Sequence, residues 1–84
     1  MLEQKDIKSE EIENFHSLVA NNVKNARKDA GITQLDLALT IGHKSVSTIG
    51  KIEARLEGKH YNIEQLYKIS KSLDVDIRDF FKIK

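Results

Sequence analysis

Apolar positions recur along the chain in bursts at helical spacing, each closed by a residue suited to a turn. Ile12, Phe15, Leu18, Val19, Val23 and Ala26 fall at intervals that place them on one helical face. Ser9 precedes Glu10 and Glu11, a cap residue followed by acids that suit the positive end of a helix dipole. The segment predicts helix over residues 10–30, either continuous or broken near Ala20-Asn21-Asn22. Gly31, a natural left-handed residue, ends it. Leu35, Leu37, Ala38 and Ile41 predict the buried face of a second helix, capped by Thr33 and ended by Gly42. Ile49 and Ile52 predict a third, capped by Ser45. Asn62 with Gln65 three positions on forms a capping-box pattern, and Leu66, Ile69 and Leu73 continue it as a fourth helix. Asp76 is placed to cap a short fifth helix carrying Ile77, Phe80 and Phe81. No segment alternates with period two, and no repeat or low-complexity stretch appears. The expected fold is a compact all-α domain of five helices.

Composition narrows the picture. Eighty-four residues make one domain with a modest core, which a partner subunit would help to stabilise. With no cysteine there is neither a disulfide nor a thiolate metal site, which suits a reducing compartment. No apolar run approaches the roughly 20 residues of a membrane span. The start, Met1-Leu2-Glu3-Gln4-Lys5-Asp6, is too polar for a signal peptide, and the expected location is cytoplasmic.

The net charge is only +1, but its distribution is uneven. Residues 1–20 hold two lysines against five acids; residues 21–84 hold twelve basic residues against eight acids. The basic part is either the nucleic-acid-facing part or ordinary surface scatter, which charge alone does not separate. His16, His43 and His60 lie far apart in sequence, without the carboxylate or cysteine spacing of a metal site. Gly42-His43-Lys44-Ser45 and Gly58-Lys59 lack the glycine spacing and preceding strand of a phosphate loop. No nucleophile–base pair stands out. Catalysis, cofactor and metal are therefore not expected.

The richest stretch is Thr33-Gln34-Leu35-Asp36-Leu37-Ala38, then Gly42, then Ser45-Val46-Ser47-Thr48-Ile49-Gly50-Lys51-Ile52-Glu53. It reads as two short helices joined by a tight turn. Ala38 is small enough for a close helix crossing, and Gly42 serves the turn. Leu37, Ile41, Ile49 and Ile52 supply the inner faces. This is the layout of a helix-turn-helix, which lays its second helix in the DNA major groove.

From about Val19 to Phe81 the chain resembles the Cro/Xre, lambda-repressor-like helix-turn-helix regulators of bacteria and phages. The resemblance rests on Val23 to Gln34, Leu37-Ala38, Ile49 to Glu53 and Leu66 to Phe81. The chain differs in a turn one residue longer at Gly42 to Ser45 and in a loop about two residues longer after Glu53. The longer loop predicts that helix three runs on toward Leu56-Glu57, with Gly58 as its cap. Residues 1–17 lie outside the family pattern and read as a partly helical extension; residues 18–84 form the expected domain.

The resemblance implies a role for each matched position. Gln34 would bond a DNA phosphate through its amide and backbone N–H. Ser45, Val46, Ser47 and Thr48 would form the exposed first turn of the recognition helix, with Lys51 one turn on, all facing base edges. Lys44, Arg55 and Lys59 would neutralise backbone phosphates. Arg27 and Glu53 would form a partly buried ion pair that ties the first helix to the third.

The function so implied is a sequence-specific DNA-binding regulator, acting as a repressor or autoregulator on double-stranded DNA without catalysis. Ile12, Phe15, Phe80, Phe81 and Ile83 exceed what a small core must bury. They either cap the core or form the interface of a homodimer, and a two-fold dimer would read a palindromic operator. The alternative is a protein-interaction module, or an antitoxin-like protein, that grips a partner such as a toxin with the same fold.

Overall fold

The structure is a computed structural model that describes residues 6–42 and 46–83. Four α-helices follow in order: α1 (Ser9–Asp29), α2 (Gln34–Thr40), α3 (Ser47–Glu53) and α4 (Ile63–Leu73). A 3-10 turn, Ile77–Phe81, closes the chain, and no strand occurs among the described residues. The fold is all-helical, with four α-helices rather than the five expected.

The fifth element is too short and too tightly pinned to become an α-helix. Asp76 caps it as expected, accepting from the Arg78 N–H at 2.9 Å. Asn22 on α1 then donates to the carbonyls of both Phe80 and Lys82 at 3.0 Å each. Those bonds fix the backbone while Phe80, only 1% exposed, plugs the core.

α1 is one continuous helix, so Ala20-Asn21-Asn22 does not break it. Its cap position is Lys8, with no side-chain bond, and Ser9 is the first helical residue rather than the cap. Gly31, at φ +73°, ends it as expected, and Ile32 N–H reaches back to the Arg27 carbonyl at 3.2 Å. α2 opens with a reciprocal cap between Thr33 and Asp36 that spacing alone had not revealed. α4 opens with the expected box between Asn62 and Gln65.

α3 departs from expectation at its end. It stops at Glu53 and does not continue toward Leu56-Glu57. Leu56 N–H bonds the Lys51 carbonyl at 2.8 Å and Arg55 N–H bonds that of Ile52 at 3.2 Å. This is a Schellman ending, with Arg55 at φ +57° where glycine is usual. At its start the cap position is Val46, without a side-chain bond; the expected cap Ser45 lies outside the described residues.

The core joins Val19, Ala20 and Val23 of α1 to Leu37 and Ala38 of α2. Ile41, Ile49, Ile52, Leu66, Ile69 and Phe80 complete it, with Tyr61 from the loop before α4. Leu35, expected on a buried face, is 46% exposed, and Ile12 and Phe15, whose place was left open between core cap and interface, are 51% exposed each. Ile12 and Phe15 belong to turns of α1 that run beyond the core. Leu35 precedes Leu37 by two positions, about 200° round the helix, and so points away from it. No helix among the described residues is long and apolar enough to cross a membrane.

Candidate nucleic-acid interface

Two short helices, α2 and α3, pack against each other and present α3 at the surface. Ile49 and Ile52 are sealed inside, at 0% and 1% exposure. Ser47 and Lys51, one turn apart, lie on the opposite face. Val46 is exposed at the head of the helix and Thr48 is half-buried on its flank. Lys44 and Ser45, expected beside them, lie outside the described residues.

A buried polar network sets the pose of α3. Arg27 on α1 donates to both carboxylate oxygens of Glu53, Nε to Oε2 at 2.9 Å and Nη2 to Oε1 at 3.0 Å. Its third nitrogen donates to the Ile32 carbonyl at 2.9 Å. Gln34, the first residue of α2, donates its amide to Glu53 Oε1 at 2.9 Å. One carboxylate at the last residue of α3 therefore gathers α1, α2 and the turn between them. Fork-to-fork geometry makes this the strong kind of pair, and burial makes each member costly to remove. The Tyr61 phenol lies beside the network; burial, then the Glu53 charge, pushes its pKa well above the usual tyrosine range.

Two cations expected to face DNA, Lys51 toward bases and Arg55 toward phosphates, are engaged by the protein. Lys51 pairs with Glu57, Nζ to Oε2 at 3.0 Å, across the Schellman turn. Arg55 turns back onto α1: Nε donates to Ser17 Oγ at 3.1 Å, Nη1 to the Lys59 carbonyl at 2.8 Å and Nη2 to the Glu13 carboxylate. Gln34 spends an amide hydrogen on Glu53. Lys59 is exposed.

Two features escaped the sequence. His16 and His60 stack, with ring centroids 3.9 Å apart and planes within 11°. Nothing in their 44-residue separation signals the meeting, because the loop after α3 brings His60 there. Beside them runs an open apolar groove of about 310 Å³, lined by Phe15, Val19, Ile63, Leu66 and Phe81 among others, and by no formally charged residue. Phe15, one of its walls, stacks on Phe81 with centroids 6.3 Å apart.

A family model described as helix-turn-helix matches residues 23–80, which takes in α2, α3, α4 and most of the closing turn. No curated protein and no solved structure matches the chain.

Proposed function

The chain belongs to the Cro/C1-type helix-turn-helix family, a family of DNA-binding regulators, and on that premise we propose that it is a repressor or autoregulator reading one operator through α3. The observation that carries this is the pose of α3: sealed on the Ile49–Ile52 side, open on the Ser47–Lys51 side, and fixed by the Arg27–Glu53–Gln34 network. Preorganisation of this kind lets a short helix discriminate bases, since the contacts carry no ordering cost of their own.

Within this reading Ser45, Val46, Ser47, Thr48 and Lys51 meet base edges. Lys44 and Lys59 meet phosphates and set register and affinity. Gln34 and Arg55 take a different role from the one the resemblance implied. Their side chains hold the ends of α2 and α3 in place, so they act on DNA through the helix rather than by contact. Lys51 must leave Glu57 to reach a base, which makes Glu57 a competitor for the same ammonium. A homodimer on a palindromic site, working in the cytoplasm without cofactor, completes the proposal. Support for the dimer comes from the exposed Ile12, Phe15, Ile63 and Ile83.

Selection from a random duplex library tests it, with Lys51→Ala alongside and light scattering on the same sample. The expected result is a palindrome with half-sites about 10 bp apart, bound by a dimer and lost in the variant. No enrichment by folded protein would overturn it. Lys59→Ala should weaken binding evenly across sequences and reduce the slope of log K against log salt by about 1. The uncharged groove supports a second reading, a partner protein such as a toxin seated there. Binding of that kind would change little with salt.

A further inference from the structure

The turns of α1 that precede the family match are tied to the segment that follows α3. Glu13 and Ser17 both hold the Arg55 guanidinium, and Arg55 is itself the left-handed residue of the turn that ends α3. A residue with a Cβ adopts that conformation only when its surroundings hold it there. His16, between the two anchors, stacks on His60 at the far end of the same loop. The segment after the recognition helix is thus gripped at both ends by one face of α1.

We propose that this grip is a proton-sensitive clasp, closed by Glu13, His16 and Ser17 on Arg55 and His60 and opened when the stacked imidazoles gain protons. Its effect on DNA rests on the reading of α3 given above.

The physical argument starts from the neutral pair. His60 Nδ1 lies 3.2 Å from the Tyr61 carbonyl. A carbonyl can only accept, so this nitrogen carries the hydrogen and an added proton must enter at Nε2. Two neutral imidazoles stack without penalty. Two imidazolium ions 3.9 Å apart repel, and the Arg55 guanidinium stands beside them as a third positive charge. Glu13 is the acid that faces His16, and it is committed to Arg55. α4 and the closing turn bring Asn62, Ile63, Leu66 and Phe81 to this side, and the loop brings Tyr61; none is an acid. Burial, then the charges of His60 and Arg55, lowers the His16 pKa against the opposing pull of Glu13. The stack and the neighbouring guanidinium therefore oppose the charged form of His16, and a proton driven onto the stack by acid works against the closed arrangement.

The test follows the imidazole and amide signals of the full chain by NMR from pH 8 to 5. In parallel, duplex affinity is measured in a His43→Gln background, so that the pair supplies the remaining histidines. His16 is expected to titrate below its ordinary 6.5, with the amides of residues 12–18 and 54–61 moving alongside while Val23 and Ile69 hold still. Affinity is expected to fall about tenfold between pH 7.5 and 5.5, within the roughly 5–150-fold range typical of coupled sites. This direction is diagnostic. Added positive charge alone would tighten DNA binding. His16→Phe with His60→Phe keeps a ring stack without titration and should flatten the affinity profile. Two histidines titrating independently at ordinary values, with still loop amides, would overturn the clasp. If no duplex binds at any pH, the DNA reading falls while the NMR titration still decides the clasp.

Discussion

Arg27 joins α1 to the last residue of α3 and to the turn before α2. Its three donor nitrogens satisfy Glu53 twice and the Ile32 carbonyl once, with the side chain 11% exposed and that of Glu53 4%. Arg27→Ala leaves a buried carboxylate facing Gln34 alone, and the expected cost is about 3–5 kcal/mol. In a domain this small that is most of the total stability. Circular dichroism should show a largely unfolded protein at 37 °C and, with it, no DNA binding. A cooperative melt at the wild-type temperature would disprove the assignment. Tyr61 carries the opposite expectation. Its hydroxyl is buried with no hydrogen-bond partner among the described residues. Tyr61→Phe removes an unsatisfied polar group and keeps the ring, so the melting point should rise, by the equivalent of about 1 kcal/mol. A fall would mean that the hydroxyl is bonded in solution.

At the scale of elements, residues whose role is local were readable in sequence and those whose role is tertiary were not. Asn62 with Gln65, Gly31 and Asp76 each act within four residues of themselves, and each was found where the pattern put it. Arg55 defeated the reading because its guanidinium, beyond one bond to the nearby Lys59 carbonyl, is held by α1, some forty positions back. The length of α3 was misjudged for the same reason. The matched helices were legible as a set because their inner faces repeat at helical spacing. For the proposed reading face of α3, the sequence placed Ser47 and Lys51 one turn apart away from Ile49 and Ile52, but it could not show that Lys51 is paired with Glu57. Gly50 offers a test confined to this element. A Cβ there would meet only Gln34 Oε1, at an ordinary 3.8 Å. Gly50→Ala should therefore stabilise α3 by about 0.5–1 kcal/mol, read as a higher melting point. Destabilisation would show that the contact with Gln34 is tighter than the geometry gives. Asn62→Ala should lower stability by about 1 kcal/mol through loss of the cap on α4.

The whole molecule carries two separate acid responses, and their signs differ in origin. His16 is a base whose pKa is lowered in the folded state, chiefly by burial and then by His60. The unfolded chain therefore takes up the proton first as pH falls below 6.5, and folding loses stability from there down to the folded-state value, then no further. Asp76 and Asp36 behave as lowered acids. Arg78 holds Asp76 at about 2, chiefly through their side-chain bond, and the Thr33 N–H lowers Asp36. Their contribution is complete at neutral pH; that of Asp76 disappears as pH falls from 3.8 toward 2, and that of Asp36 likewise is lost only below 3.8. Stability against pH should then show a plateau above 7, a first decline below 6.5, a shelf, and a second decline in strong acid. Both aspartates are fully exposed, so raised salt should shrink the second step more than the first, which arises in a partly buried ring stack. Thermal melts across that range in low and high salt separate the two. In the His16→Phe, His60→Phe protein the first step should vanish and the second remain. A first step that survives both substitutions would assign it to His43 or to carboxylates outside the clasp.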